Sequence, residues 1–171
     1  HALSQLFRLM GFVTDRDGAS GQKDVLAVAP LGEEEFKFTI EAKGSKGPVE
    51  NDAAEISAAS AHAKAANARF ALVVAREFKG FGITDNDNAA VLNECRTQNP
   101  PVSIVTVETL CALYEALHAN HYPLPSLVTV LQEIQSPAQK LEAVTALMRP
   151  VERFDTRDLL SRCWNLQQGQ N

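Results

Sequence analysis

The spacing of apolar positions along the chain separates predicted helices from predicted strands. Residues 2 to 10 carry apolar side chains every three or four positions, which predicts an amphipathic helix. Uninterrupted apolar runs at 70 to 75 and 102 to 107 are typical of strands that are covered on both faces. Further helices are predicted at residues 52 to 67, 88 to 97, 108 to 119 and 125 to 135, then one from Ser136 and a last one capped by Asp155.

A β-hairpin is predicted after the first helix, preceded by a short strand at 12 to 14. Its two strands, 24 to 29 and 36 to 42, are separated by a Pro-Leu-Gly turn and an acidic run. In the second strand three apolar residues alternate with polar ones, so Glu41 projects from the face opposite the apolar one. The order helix, hairpin, helix, strand, helix, strand and then helices predicts an α/β fold with a mixed β-sheet core flanked by helices.

Composition limits the class of protein. A chain of 171 residues with 45% hydrophobic residues can bury one substantial core. No apolar run approaches the roughly 20 residues that span a bilayer, and the three widely spaced cysteines favour reduced thiols in the cytoplasm. Because the sequence opens at His1 with a helical pattern directly after it, we expect a fragment of a longer protein.

The net charge of −5 argues against a general nucleic-acid coat, since phosphate binding draws on clustered lysine and arginine. The acidity is unevenly distributed. Residues 1 to 80 hold ten Lys and Arg against eleven Asp and Glu, whereas residues 81 to 171 hold six against ten. The acidic excess therefore lies mostly outside the segment that contains the hairpin.

Three polar side chains are expected to converge at one edge of the hairpin. Asp24 begins the first strand, Glu41 lies near the end of the second, and Lys43 follows on the same face. Two carboxylates and the backbone carbonyl of Ala42 are the oxygen ligands that Mg²⁺ prefers, and Mn²⁺ can substitute. A carboxylate-held metal beside a lysine supplies an activated water and stabilises charge on a phosphodiester. The sequence thus predicts Asp24, Glu41 and Lys43 as catalytic residues, with Asp24, Glu41 and Ala42 as metal ligands.

These residues resemble the signature of the PD-(D/E)XK nucleases, the restriction-endonuclease-like superfamily, in which an Asp and a variable gap precede Asp/Glu-x-Lys. Here Asp24 is followed seventeen residues later by Glu41-Ala42-Lys43. The pattern is similar to the FokI-type cleavage domains of type IIS restriction enzymes, where the same spacing follows a helix and a glycine-containing turn. The runs at 70 to 80, 103 to 110 and 123 to 134 are similar to later core elements of those domains.

The resemblance implies a nuclease core at residues 1 to 135 and a C-terminal helical extension at 136 to 171 that packs on it. It implies an Mg²⁺-dependent endonuclease domain that cleaves DNA in a restriction or defence system. DNA is the implied partner, with a homodimer or a separate recognition domain or subunit left open. Lys23 stands where the family often has Pro. The stretch 57 to 61, which corresponds to a charged dimerisation helix of FokI-type domains, is small and uncharged here.

Other candidates keep two interpretations. Glu55 is the capping-box partner of Asp52 or an accessory metal residue, and the capping role is favoured. Lys46 is a phosphate contact or a solvated loop lysine. The four histidines lack the spacing of a zinc site, and residues 85 to 88 predict a turn and helix cap rather than a calcium loop. The open functional alternatives are a junction-resolving or repair nuclease on the same fold and a non-catalytic DNA-binding or assembly module.

Overall fold

One mixed β-sheet forms the centre of the protein. A computed structural model describes residues 2–15, 24–31, 34–44, 47–50, 54–81, 89–120 and 123–147. The strands are β1 (Val13–Asp15), β2 (Val25–Leu31), β3 (Glu34–Lys43), β4 (Phe70–Ala75) and β5 (Val102–Thr106). They lie side by side in chain order; β1, β2 and β3 pair antiparallel, whereas β3, β4 and β5 pair parallel.

Helices of the described chain cover both faces of this sheet. They are α1 (Ala2–Leu9), α2 (Ile56–Ala65), α3 (Ala89–Thr97), α4 (Val107–Asn120), α5 (Leu124–Gln132) and α6 (Pro137–Leu147). Buried residues of α1, α4, α5 and α6 pack with one face of the sheet and form the first layer. Buried residues of α2 and α3 pack with the opposite face and form the second layer. This arrangement confirms the predicted α/β fold with a mixed sheet flanked by helices.

Aromatic rings fix which face of β3 turns to the first layer. Phe38 is fully buried and stacks on Phe70 with ring centroids 4.8 Å apart. Phe7 and Phe12 approach the Phe38 ring edge-on, at 5.8 and 5.3 Å. Full burial of such a side chain contributes about 1.5–3 kcal/mol, so β3 keeps this face inward. Side chains of a strand alternate between its two faces, and Glu41 lies three residues after Phe38. Glu41 therefore projects from the opposite face, toward α2.

The hairpin is longer than its sequence pattern indicates. Pro30 and Leu31, predicted as part of the turn, belong to β2 and pair with Glu35 and Glu34. A proline is tolerated there because β1 pairs only with residues 26 to 28, so Pro30 has an edge position in the described sheet. The turn prediction was therefore wrong for these two residues.

The starts of two helices bear on the sequence interpretation. α2 begins at Ile56, directly after Glu55, whose φ of 51° is left-handed, whereas the predicted helix start at residue 52 lies outside the described residues. Val107 was predicted to end a strand but opens α4. The hydroxyl of Thr106 accepts a hydrogen bond from a backbone N–H of the first turn of α4, which is the geometry of an N-cap.

The chain after Ser136 packs on the core as far as it is described. The N–H of Gln139 donates to Ser136 Oγ at 3.2 Å and the N–H of Ser136 donates to Gln139 Oε1 at 3.1 Å, so the predicted cap is a reciprocal capping box. Val144 of α6 is fully buried in the first layer. The helix predicted after Asp155 lies outside the described residues, and the boundary at residue 135 stays a prediction. None of the described helices has the length and apolar character of a membrane span.

Candidate active site

The predicted site lies at the C-terminal end of β3, beside the start of β2. Val25 is opposite Ile40 in the β2–β3 ladder, so Asp24, one residue earlier, lies across from Glu41 and on the same face of the sheet. Asp24 Oδ2 accepts a hydrogen bond from the backbone N–H of Ala42 at 2.6 Å. Because the N–H and C=O of one strand residue point to the same neighbour, the Ala42 carbonyl is expected on the Asp24 side. The hairpin register thus brings Asp24, Glu41 and Ala42 together.

Glu41 is a buried carboxylate, with 7% of the residue exposed. Its Oε1 lies 2.8 Å from Nδ1 of His62, which α2 places over the end of β3. Burial raises the pKa of Glu41 above its ordinary value; the contact with His62 and the charge of Lys43 act in the opposite direction, and the charge of Asp24 adds to the increase. Charges of both signs therefore surround this carboxylate within a part of the protein that is poorly hydrated.

Lys43 leaves the same face of β3 two residues after Glu41. Its Nζ contacts Glu55 Oε2 at 2.5 Å, and 17% of the Lys43 side chain is exposed against 62% of the Glu55 side chain. The hydrogen bond and charge of Lys43 lower the pKa of Glu55. Glu55 immediately precedes α2 and makes no side-chain bond to cap it. The predicted capping box of Glu55 with Asp52 stays a prediction, because Asp52 lies outside the described residues; the described partner of Glu55 is a predicted catalytic lysine.

The sequence interpretation missed His62. It counted this residue among scattered histidines, yet the ring contacts a predicted metal ligand. A signal was present: His62 follows Glu55 by seven residues, so both lie on one face of a helix that crosses the motif strand. Lys46 and the acidic run at 85 to 88 lie outside the described residues.

The donor set fits a hard cation better than zinc. In the described part of the chain, no group of three or more His, Cys, Asp or Glu residues is arranged to hold a metal ion. Mg²⁺ needs fewer protein ligands, since it commonly binds one or two carboxylates and keeps several waters. The Asp24 and Glu41 carboxylates each hold one oxygen in a hydrogen bond, and a cation that took their second oxygens would offset the burial of Glu41.

Two solved structures share this fold. The FokI restriction endonuclease aligns with a TM-score of 0.58 and 13% identity, and FokI restriction endonuclease bound to DNA aligns with a TM-score of 0.55 and 16% identity. Each alignment covers 75% of this chain and 26% of the FokI chain, so the chain spans about a quarter of those proteins. No protein-family model matches the sequence, and no curated protein matches it. The fold is restriction-endonuclease-like.

Proposed function

We propose that this chain is the cleavage domain of a metal-dependent endonuclease that hydrolyses DNA phosphodiesters. The observation that carries the proposal is the meeting of Asp24, Glu41 and Lys43 on one face at the end of β3. The spacing of these residues resembles the PD-(D/E)XK pattern, and the fold around them is restriction-endonuclease-like. DNA is the proposed substrate because a structural neighbour was solved as a restriction endonuclease bound to DNA.

Each site residue has a distinct role in this proposal. Asp24 and Glu41, with the Ala42 carbonyl, would hold the divalent cation, and Mg²⁺, or Mn²⁺ in its place, would supply activation of water and neutralisation of charge on the phosphate. Lys43 orients the attacking water or stabilises charge that develops on the phosphate oxygens. Glu55 holds the Lys43 ammonium beside the carboxylates before substrate arrives. To contact a phosphate, the Lys43 ammonium either breaks its ion pair with Glu55 or contacts the phosphate and Glu55 together.

The partners and setting belong to the same proposal. The net charge of −5 is unfavourable for binding DNA alone, so we infer a separate recognition domain or subunit, or a homodimer, within a restriction or defence enzyme. The exposed face of α2, with Ser57, Ala58 and Ala61, is the face that a dimer would use in a FokI-like arrangement. Cys95 and Cys111 are free thiols, in keeping with the proposed cytoplasmic location.

The decisive assay is nicking and linearisation of supercoiled plasmid in Mg²⁺, Mn²⁺ or EDTA. We expect Asp24→Ala, Glu41→Gln and Lys43→Ala each to reduce the rate by about 100-fold or more. The matched controls lie away from the site: the exposed Glu115→Gln on α4 for the carboxylate and the partly exposed Lys37→Ala near the start of β3 for the lysine. Equal cutting by all five variants and the wild type would identify a contaminating nuclease and refute the proposal.

The open alternatives are separated by substrate and by binding. A junction-resolving or repair nuclease would cut branched DNA faster than a linear duplex of the same sequence. A non-catalytic DNA-binding or assembly module would bind DNA without cutting and would show no Mn²⁺ binding that depends on Asp24. The cleavage proposal expects Asp24-dependent Mn²⁺ binding together with cutting of unbranched duplex.

A further inference from the structure

The imidazole of His62 is held over β3 by the packing of α2. Ala59 and Ala63, on either side of His62, are 1% and 0% exposed and pack in the second layer with β4. Ser60 Oγ donates to the carbonyl of Pro100 at 2.7 Å. These contacts fix the axial position and rotation of the helix, so the location of His62 is set by the core and not by its own side chain.

α2 contacts both functional positions of the motif strand. Glu55 at its start bonds Lys43, and His62 about two turns later bonds Glu41. The helix runs antiparallel to β3, because its first contact is with the later strand residue. One helix thus orients the predicted lysine and one predicted metal ligand, which ties the site geometry to the α2–sheet contact.

The hydrogen bond to His62 restricts how Glu41 presents its carboxylate. The terminal torsion of a glutamate is broad and nearly unrestrained when the group is solvated. His62 Nδ1 lies 2.8 Å from Glu41 Oε1, and an ionised carboxylate can only accept, so the proton of this bond belongs to Nδ1. On a Glu41 side chain that is 9% exposed, the bond selects one orientation of the carboxylate. The second oxygen is thereby directed away from His62. Hydrogen-bond partners of metal-binding carboxylates typically change metal affinity 10–100-fold.

We propose that His62 is a positioning residue of the metal site: its Nδ1–H holds Oε1 of Glu41, so that the other carboxylate oxygen is placed for a divalent cation shared with Asp24. This inference rests on the proposed function. The imidazole itself touches neither substrate nor cation in this proposal. The side chain acts through a single donated hydrogen bond, and another donor of similar reach should replace it.

The test compares two substitutions that differ in the donor. His62→Asn keeps an N–H near the position of Nδ1, whereas His62→Leu fills a similar volume without a donor. His118→Ala, which replaces an exposed histidine on α4, is the matched control. Asp24→Asn gives the Mn²⁺ binding that remains when the proposed metal site is disrupted. Mn²⁺ binding is measured by calorimetry on the whole chain without DNA, and the Mg²⁺ dependence of plasmid cutting is measured in parallel.

We expect His62→Leu to weaken Mn²⁺ binding about 10–100-fold and to raise the Mg²⁺ concentration for half-maximal cutting, with a smaller change in the maximal rate. His62→Asn should recover the affinity to within about threefold of the wild type, on the strength of the restored donor. His118→Ala should behave as the wild type. Far-UV circular dichroism and urea midpoints verify folding, and His62→Ala replaces the leucine variant if that variant does not fold.

The outcomes separate the two proposals. If the wild type binds Mn²⁺ no better than Asp24→Asn, the proposed function fails and the role of His62 fails with it. If the wild type shows Asp24-dependent binding but folded His62→Leu retains it in full, the positioning role alone is refuted. Equal losses in folded His62→Leu and His62→Asn would also refute it, because the shape of the ring and not the donated bond would then matter.

Discussion

Lys140 gives the sharpest prediction about stability. This lysine of α6 is fully buried, and its Nζ donates to Ser103 Oγ of β5 and, at 3.2 Å, to the carbonyl of Leu131 near the end of α5. Ser103 Oγ in turn donates to the Glu133 carbonyl at 3.1 Å. A neutral amine has two N–H groups, which match these two acceptors. Burial lowers the pKa of Lys140 to about 7, and the charge of Glu133 opposes that change.

The size and sign of the effect follow from this pKa. In the unfolded chain Lys140 keeps its ordinary value of 10.5, and each pKa unit corresponds to about 1.4 kcal/mol. Between pH 7 and 10.5 the unfolded chain binds a proton that the folded chain has released, so the free energy of unfolding rises with pH at up to about 1.4 kcal/mol per unit. Below pH 7 both states are protonated, and the folded state is less stable by about 5 kcal/mol than above pH 10.5.

Urea unfolding of the wild type and Lys140→Met at pH 6 to 9.5 isolates this contribution. Other titrating groups are common to both proteins, so the difference in their free energies of unfolding reports Lys140. We expect wild type minus variant to be flat below pH 6.5 and to rise by roughly 2–3 kcal/mol between pH 7.5 and 9.5. Lys64→Met, which replaces an exposed lysine, should show no such slope. A difference that is flat up to pH 9.5 would refute the burial of Lys140 as a neutral amine.

Three further predictions concern buried polar groups. Thr39 is fully buried and its Oγ1 makes no hydrogen bond with the described residues, so Thr39→Val should leave the free energy of urea unfolding unchanged or raise it by up to about 1–2 kcal/mol; a decrease would reveal a bond. Because burial raises the pKa of Glu41, Glu41→Gln should raise the urea midpoint measured at pH 7 in EDTA although it removes cutting in Mg²⁺, and a lower midpoint would contradict this. In a Cys163→Ser background, Ellman's reagent should modify exposed Cys111 and spare Cys95 until unfolding, since burial raises the pKa of Cys95 to about 12. Equal labelling rates in the native state would refute that burial.

The hairpin and the meeting of its carboxylates could be predicted because strand alternation sets both. A strand with one apolar face has few acceptable registers, since a slip of one residue would turn that face to water. The buried face of β3 therefore fixes the side on which Glu41 projects, and pairing with β2 then places Asp24 across from it. The continuous apolar runs at 70 to 75 and 102 to 106 became strands for a related reason, because both of their faces are covered.

The contacts of α2 could not be predicted from its composition. Alanine occurs around most of this helix, so no apolar stripe indicates which side faces the sheet. Its rotation is decided by Ala59 and Ala63 packing on β4, which depends on residues later in the chain. The roles of Glu55 and His62 follow from that rotation. Catalytic assignments for Asp24, Glu41 and Lys43 stay predictions until the cleavage assay is done.

Lys140 and Glu41 show that a shifted pKa indicates a functional group only where a ligand can reach that group. Both groups lose hydration in the folded state, but Lys140 is 0% exposed and its acceptors are internal parts of the fold. Glu41 lies at the end of a strand beside half-buried Asp24, and the charge of Asp24 raises its pKa further. Burial and the charge of Asp24 both make ionisation of Glu41 harder, so the fold gains no stability from placing these two carboxylates together. A divalent cation between them would reverse both unfavourable effects, which is why this pair, and not the more strongly shifted lysine, is where we propose the chemistry.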